Sequence, residues 1–186
     1  MKVPVGARKN LLCPMPVVMV GANVNGKANY TTVAYVGIIS RNFVSVAMAK
    51  PHYSNAGIKE NGTFSVNIPS EDQVKETDYC GIVSGNQVDK SKVFTTFYGR
   101  LKTAPMIEEC PVNLECKLTQ TIDTGRGETF IGEIEEAYVN ADCMNNDMVD
   151  YDKVKPILFV TEEATYWKLG PRFADAWKVG EELKRT

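Results

Sequence analysis

Histidine is almost missing from this chain: His52 is the only one in 186 residues. A histidine-rich metal site or a Ser-His-Asp triad would depend on that one side chain, so neither is expected. Cysteine is present but poorly arranged for chemistry. Cys13, Cys80, Cys110, Cys116 and Cys143 make an odd set with no Cys-x-x-Cys. A disulfide framework is not expected, and reduced thiols in the cytoplasm are the better reading. Cys110 and Cys116 make a poor metal pair. No Gly-x-Gly-x-x-Gly follows a strand and no Walker A pattern occurs. The run Gly21-Ala22-Asn23-Val24-Asn25-Gly26 only looks glycine-rich and reads as a hairpin turn. A nucleotide held in a Rossmann cleft is therefore not expected.

Excess charge is also lacking. Twenty-one basic and 23 acidic side chains are intermixed and leave a net charge of −2. A nucleic-acid binder normally shows a basic stripe; a small anionic ligand needs only a few local donors. No apolar run is long enough to cross a membrane. Lys2, Arg8 and Lys9 precede the run Leu11–Ala22, which superficially resembles a signal peptide. Pro14 and Pro16 interrupt it, no small-x-small pattern follows, and a span needs about 20 residues. It reads as the lead-in to a buried strand. There is no repeat, low-complexity stretch or linker, so one domain over residues 1–186 is expected.

What is present is β patterning. Val17–Ala22 is rich in β-branched residues and preceded by Pro14 and Pro16. Asn25-Gly26 then gives the strongest short hairpin signal, with Tyr30–Val36 as the returning segment and Phe43–Met48 as a third strand. Tight turns between three short strands favour a β-meander. Ser54 to Lys59 reads as a short helix capped by Ser54 and ended at Asn61-Gly62. Thr63–Ile68 alternates as a strand. Ser70 with Gln73 forms a capping box that opens a helix over Glu71 to Ile82.

Ser91 to Met106 carries no clear element. Val112 to Ile122 alternates, with Leu114, Cys116, Leu118 and Ile122 on one face, turns at Thr124–Gly127 and returns over Phe130–Val139. Cys143 to Val154 reads as an acidic surface loop, and Lys155–Val160 and Thr165–Lys168 as short strands. Helical spacing of Phe173, Ala176, Trp177 and Val179 predicts a helix over Arg172 to Lys184. The sum is mainly β, with six to eight strands and two or three helices. Interleaved hairpins of this kind close most easily into a small barrel, which removes edges.

Some polar residues sit oddly for core strands. Asn29, Thr31 and Thr32 offer amides and hydroxyls, and Ser54 and Asn55 sit where a helix begins. A helix N-terminus suits a phosphate, and Lys90 adds a point charge. Together they could bind one phosphate monoester; ordinary turn and cap chemistry is the competing reading. His52 is either a site-rim residue or a surface loop histidine.

A family resemblance runs through most of the chain. It is carried by Pro14–Val20 and by Asn25-Gly26-Lys27-Ala28-Asn29-Tyr30-Thr31-Thr32-Val33-Ala34-Tyr35. Val44–Ala49 with His52-Tyr53-Ser54-Asn55 and Ile58, and Gly62–Asn67, continue it. Ser84-Gly85, Val88-Asp89-Lys90, Phe130–Ile134 and Tyr166–Gly170 follow in the same order. Together they resemble the flavin reductase-like proteins, especially the flavoredoxin branch. That resemblance implies an antiparallel FMN-binding split β-barrel of Greek-key type, usually a homodimer with FMN near the subunit interface.

Carried over residue by residue, Asn29, Thr31, Thr32 and Val33 would face the flavin or its phosphate. Ala47, Met48 and Ala49 would run along the ring edge with backbone groups. Ser54, where the family often has Thr, and Asn55 would hold the phosphate, and Lys90 would pair with it. Tyr35, where flavoredoxins often have Trp, and Tyr166 would flank the ring. Cys80, before the Ser84-Gly85 loop, reads either as a buried, inert thiol or as one that approaches the flavin, and Trp177 as a packing or dimer contact. Two departures stand out. Many members have Pro-Pro where this chain has Phe43-Val44, and several have a histidine near the position of Gly127.

The function implied is a flavoprotein oxidoreductase. NADH or NADPH would be the co-substrate, and flavin, ferric iron or a redox protein the acceptor. Competing readings are an electron carrier that does not oxidise nicotinamide, and a non-enzymatic binding or structural barrel. No acid–base side chain is needed where a cofactor carries the hydride chemistry.

Overall fold

In the computed structural model, residues 1–6 and 11–185 are described; Arg8 and Lys9 of the N-terminal lead-in lie outside them. The first elements are β1 (Met15–Pro16), β2 (Val18–Val24), β3 (Lys27–Val33), β4 (Val36–Ser40), β5 (Phe43–Ala49), helix α1 (Ser54–Asn61) and β6 (Thr63–Ile68). Helix α2 (Val74–Ile82) and a short pair, β7 (Thr96–Phe97) with β8 (Met106–Ile107), lead to the long hairpin β9 (Val112–Asp123) and β10 (Gly127–Val139). The chain ends with β11 (Met144–Asn145), β12 (Met148–Val149), helix α3 (Tyr151–Val154), β13 (Ile157–Val160) and β14 (Thr165–Lys168).

Seven strands form one antiparallel sheet in the order β3-β2-β6-β9-β10-β5-β4, and β1-β13-β14 form a second, smaller one. The large sheet curls around a core that includes Val20, Val46, Ile58, Phe64 and Phe130, all fully buried. The β4–β5 pairing runs one step past β4, where the Ala47 N–H donates to the Tyr35 carbonyl at 2.8 Å; the two edge strands, β3 and β4, are not paired with each other, so no continuous ladder closes the barrel. The fold is mainly β, of the split-barrel kind. Strand β2 reads as an unbroken apolar run because both of its faces are covered. Val18, Val20 and Ala22 enter the barrel core, while Met19 joins a second cluster with Tyr30, Cys80, Phe94 and Ile107.

The Asn25-Gly26 turn has positive φ at both residues, 51° and 75°, the backbone a two-residue type I′ hairpin requires. Helix α1 begins and ends as expected, with Gly62 left-handed at its C-terminus. Ser54 is not its cap, however: it is the first helical residue, and its hydroxyl is turned to β3. The capping box at Ser70 and Gln73 is present but opens a short 3-10 turn, Glu71–Gln73, before α2.

Three expectations need correction. The first strands are not a meander. β3 stops at Val33, and Val36–Ser40 forms a separate strand on the opposite edge of the sheet. Ile38 and Ile39 are both exposed, so no apolar alternation marks this strand in the sequence. The Cys143–Val154 segment is not merely a surface loop. It carries a small hairpin and α3, with Cys143 and Val154 buried against Val112. Among the described residues the tail has no α-helix. It is turns followed by a 3-10 segment, Glu181–Arg185, with Phe173 98% and Trp177 95% exposed. An apolar stripe with nothing to pack against does not hold a short helix.

The Ser91–Met106 stretch is fixed by side chains reaching into it rather than by periodicity. Glu115, fully buried, accepts from the backbone N–H groups of Arg100 (3.0 Å) and Leu101 (2.8 Å) and from the Tyr138 hydroxyl (2.9 Å). Asn67 accepts from Ile107 N–H, and Ser65 donates to the Pro105 carbonyl. Among the described residues no helix is long and apolar enough to cross a membrane.

Candidate functional site

Strand β5 sets the character of the site by simple alternation. Val44, Val46 and Met48 point into the barrel core, and Ala47 and Ala49 therefore point out of it. Outside, with Thr32 and Val33 from the end of β3 and Ala34 and Tyr35 from the link to β4, they line a cavity of about 370 Å³. Met15, Val17 and Phe159 with Tyr166 from the small sheet, Gly81 of α2, and His52 complete it. This cavity is mostly apolar.

Tyr166 is held in its wall from two sides. Its ring lies 5.7 Å from that of Phe159, and its hydroxyl donates to Asp78 Oδ1 at 2.9 Å. Burial, then the bond to Asp78, pushes the phenol up to about 12, so Tyr166 is an uncharged donor at neutral pH.

A second cavity of about 290 Å³ adjoins the first. Its walls are Thr31, Pro51, His52, Tyr53, residues 80–85 and Lys90. His52 and Gly81 belong to both cavities, so the two lie side by side and together make a groove, apolar at one end and more polar, with Lys90, at the other.

Lys90 dominates the polar end. It is only 3% exposed, and its ammonium donates to the Cys80 carbonyl at 2.8 Å. Among the described residues no carboxylate pairs with it. Burial pulls the ammonium below its usual range, and the same burial pushes the Cys80 thiol up to about 11. That thiol is a packing group rather than a nucleophile. A buried cation without an anion is costly, which makes Lys90 a candidate partner for an anionic group.

Next to Lys90, Asn29 donates to the Ser54 hydroxyl at 2.7 Å, and Ser54 and Thr31 share a hydrogen bond at 2.8 Å. All three are buried. The loop at Gly85 lies directly on Asn29 and Tyr53. A Cβ there would come 2.3 Å from Asn29 Oδ1 and 2.5 Å from the Tyr53 ring, so glycine is what permits this close approach. Thr32 faces the other way, donating to the Thr77 carbonyl of α2 while its edge lines the apolar cavity.

The groove thus brings together Thr31, Thr32, Val33, Tyr35, Ala47, Ala49, Lys90 and Tyr166 of the expected residues, with Asn29 and Ser54 behind Thr31. Two do not join its walls. The Met48 side chain is in the barrel core, on the opposite parity from Ala47 and Ala49. Asn55 spends its amide on the Ala49 carbonyl (3.1 Å) and Glu128 (2.9 Å), which ties α1 to β5 and β10 instead.

Sequence reasoning did not pick out Gly81, Asp78, Met15 or Phe159. Their roles come from how α2 and the small sheet lie over β3, which no local pattern reveals. His52, left open by the sequence, is a wall residue of both cavities.

Comparison with known proteins fits this arrangement. The flavin reductase like domain family matches residues 10–161. The chain belongs to that family. Among solved structures, flavoredoxin from Methanosarcina acetivorans is 42% identical, with a TM-score of 0.95, 98% of this chain covered and 99% of that one. Flavoredoxin of Desulfovibrio vulgaris (Miyazaki F) is 33% identical with a TM-score of 0.91, covering 97% of this chain and all of that one (100%). Both place this flavin reductase-like chain on the flavoredoxin branch. A curated protein of Archaeoglobus fulgidus is 33% identical over 98 residues, and the match spans 51% of this chain and 55% of that relative.

Proposed function

We propose that this protein is an FMN-binding oxidoreductase, with its ring site at the apolar end of the groove and its phosphate site at Lys90. The observation that carries the reading is the buried, anion-less Lys90 at one end of a groove whose other end is apolar. A flavin mononucleotide has a matching layout: a flat, uncharged aromatic ring at one end and an anionic phosphate at the other. Membership of a flavin reductase-like family and likeness to two flavoredoxins support a flavin-binding redox role.

In this reading Lys90, Thr31, Asn29 and Ser54 hold the phosphate end; Asn55 supports α1 from behind, through Ala49 and Glu128. Thr32, Val33, Tyr35, Ala47, Ala49 and Tyr166 bound the ring, with Met48 contributing backbone only. When bound, FMN supplies the hydride and electron chemistry. The chain's own residues bind, orient and exclude water. Among the groove residues, Lys90 is kept for charge pairing, and Tyr166 is a neutral donor fixed by Asp78.

The activity proposed is NAD(P)H-dependent flavin or ferric reduction, with NADH or NADPH giving hydride to the flavin and an acceptor taking electrons. The flavoredoxin likeness favours a second reading, an electron carrier between redox proteins that does not oxidise nicotinamide itself. We propose further that residues 1–186 act as one domain, as a homodimer, in the cytoplasm. Exposed Ile38, Ile39, Phe173 and Trp177 offer apolar surface for the dimer contact.

The test is an absorbance spectrum of the purified protein followed by anaerobic mixing with NADH and NADPH. A flavin band that either nucleotide bleaches supports the reductase. A flavin band that neither bleaches supports the carrier. A colourless protein that takes up no FMN overturns both.

A further inference from the structure

We infer that His52 determines specificity for the hydroxylated linker between the ring and the phosphate of the bound flavin. The inference rests on the flavin reading above and adds to it the recognition of the part of the ligand that is neither ring nor phosphate. Its basis is position. With Gly81, His52 is one of two residues in the walls of both cavities, at the place where a ligand crosses from the apolar to the charged end. Gly81 has no side chain to offer, so the imidazole is the polar group at that crossing.

The imidazole also lacks a partner. Its Nδ1 is buried and makes no hydrogen bond among the described residues. Buried polar atoms without partners are uncommon and call for a physical reason; a partner arriving with a ligand is one. The chemistry of the surroundings selects the kind of partner. The titratable groups that share the two cavity walls with His52 are Tyr35 after β3, Tyr53 at the start of α1, Cys80 on α2, Lys90, and Tyr166 on β14. No carboxylate is among them, so nothing there would balance an imidazolium.

Burial, reinforced by the Lys90 charge, holds His52 below its usual titration range. The ring is therefore neutral at pH 7, with one donor and one acceptor nitrogen. A neutral donor–acceptor matches a hydroxyl, which is also both. It does not match a phosphate, which is already served by Lys90.

Three probes separate the parts of the ligand: lumiflavin carries the ring alone, riboflavin adds the polyol, and FMN adds the phosphate. Binding of each to the wild-type chain, to His52→Leu and to His52→Asn tests the inference. His52→Leu should weaken riboflavin and FMN by about tenfold, the scale of one neutral hydrogen bond, and leave lumiflavin unchanged. His52→Asn, with an amide near the Nδ1 position, should recover most of that loss. Equal losses for all three probes, or no loss, would overturn the inference and leave His52 as a packing residue or a partner for water.

If His52→Leu does not fold, the wild-type ¹⁵N signals of this single histidine decide. Riboflavin must shift them beyond what lumiflavin does; identical shifts overturn the inference. If the wild-type chain binds none of the three probes, the flavin reading itself fails and this inference falls with it. Binding of flavins without the His52 pattern sinks this inference alone.

Discussion

The two ends of the groove are built by different means. The polar end is held by a dense local network. Asn29, Ser54 and Thr31 form a buried chain of hydrogen bonds, Lys90 is pinned by the Cys80 carbonyl, and the Gly85 loop lies against Asn29 without room for a methyl group. The apolar end is assembled from distant parts. Ala47 and Ala49 come from β5, Val33 from β3 at the far edge of the large sheet, Tyr35 from the link between β3 and β4, and Phe159 and Tyr166 from a separate small sheet. That small sheet is fastened to the rest partly by exposed polar ties: Tyr166 to Asp78, and Lys155 and Lys168 to Glu71. Surface ion pairs of this kind contribute little. The polar end is preorganised for one chemical group, whereas the apolar end is a cleft between elements that can adjust to what enters it.

Substitutions should reveal this contrast as different patterns across FMN and riboflavin. The largest effect is expected at Lys90. Lys90→Met keeps the buried stem and removes the charge. It should weaken FMN by about 2–4 kcal/mol, the scale for truncating one partner of a buried, hydrogen-bonded charge pair. Riboflavin affinity, measured by the same fluorescence titration, should hold. Gly85→Ala should come next. Its methyl would overlap Asn29 and Tyr53, so the loop must shift, at about 1–3 kcal/mol of stability, with FMN weakened more than riboflavin. Thermal or urea unfolding of the apoprotein reads the first part and titration the second. Thr31→Val removes one hydroxyl from the buried chain and should cost about 1 kcal/mol of stability.

The smallest effect belongs to the other end. Tyr166→Phe loses only the bond to Asp78 and should change FMN and riboflavin binding equally, by less than about 1 kcal/mol. A larger loss for FMN than for riboflavin would erase the distinction between the ends.

Acidity gives a further way to sharpen the comparison. His52 sits between the two ends with its titration lowered by burial and by Lys90. Its contribution to apoprotein stability is therefore complete above the unfolded histidine value, about pH 6.5. It is lost as pH falls from there through the lower folded value, because the unfolded chain takes the proton first. Urea midpoints of wild type and His52→Asn should run parallel above about pH 7, and the wild type should fall more steeply than the variant below about pH 6. Identical slopes would mean that His52 titrates normally.

The sequence revealed the polar end more completely than the apolar one. Asn29, Thr31 and Ser54 are polar residues at strand positions or at a helix start, and Lys90 follows a loop; each is unusual in its local pattern. Ala47 against Met48 could also have been separated, since strict alternation puts them on opposite faces. The sequence could not show that Lys90 lacks an anion, because that depends on everything around it in space. Nor could it show that Asp78 of α2 meets Tyr166 of β14, 88 positions apart. The hairpins at Asn25-Gly26 and Thr124–Gly127 were legible from turn chemistry. Strand β4 and the 91–106 stretch were not. The first is an exposed edge, and the second is held in place by Glu115, Asn67 and Ser65 reaching over from β9 and β6.

The central claim is that this groove is complementary to a flavin with a phosphate at its far end. Calorimetric titration of the wild-type apoprotein with FMN and with riboflavin tests it most directly. The account predicts that FMN binds at least about 30-fold more tightly than riboflavin, the equivalent of about 2 kcal/mol from one buried charge-assisted contact. Equal affinities for the two would contradict it, because Lys90 would then be buried for some purpose other than receiving the phosphate.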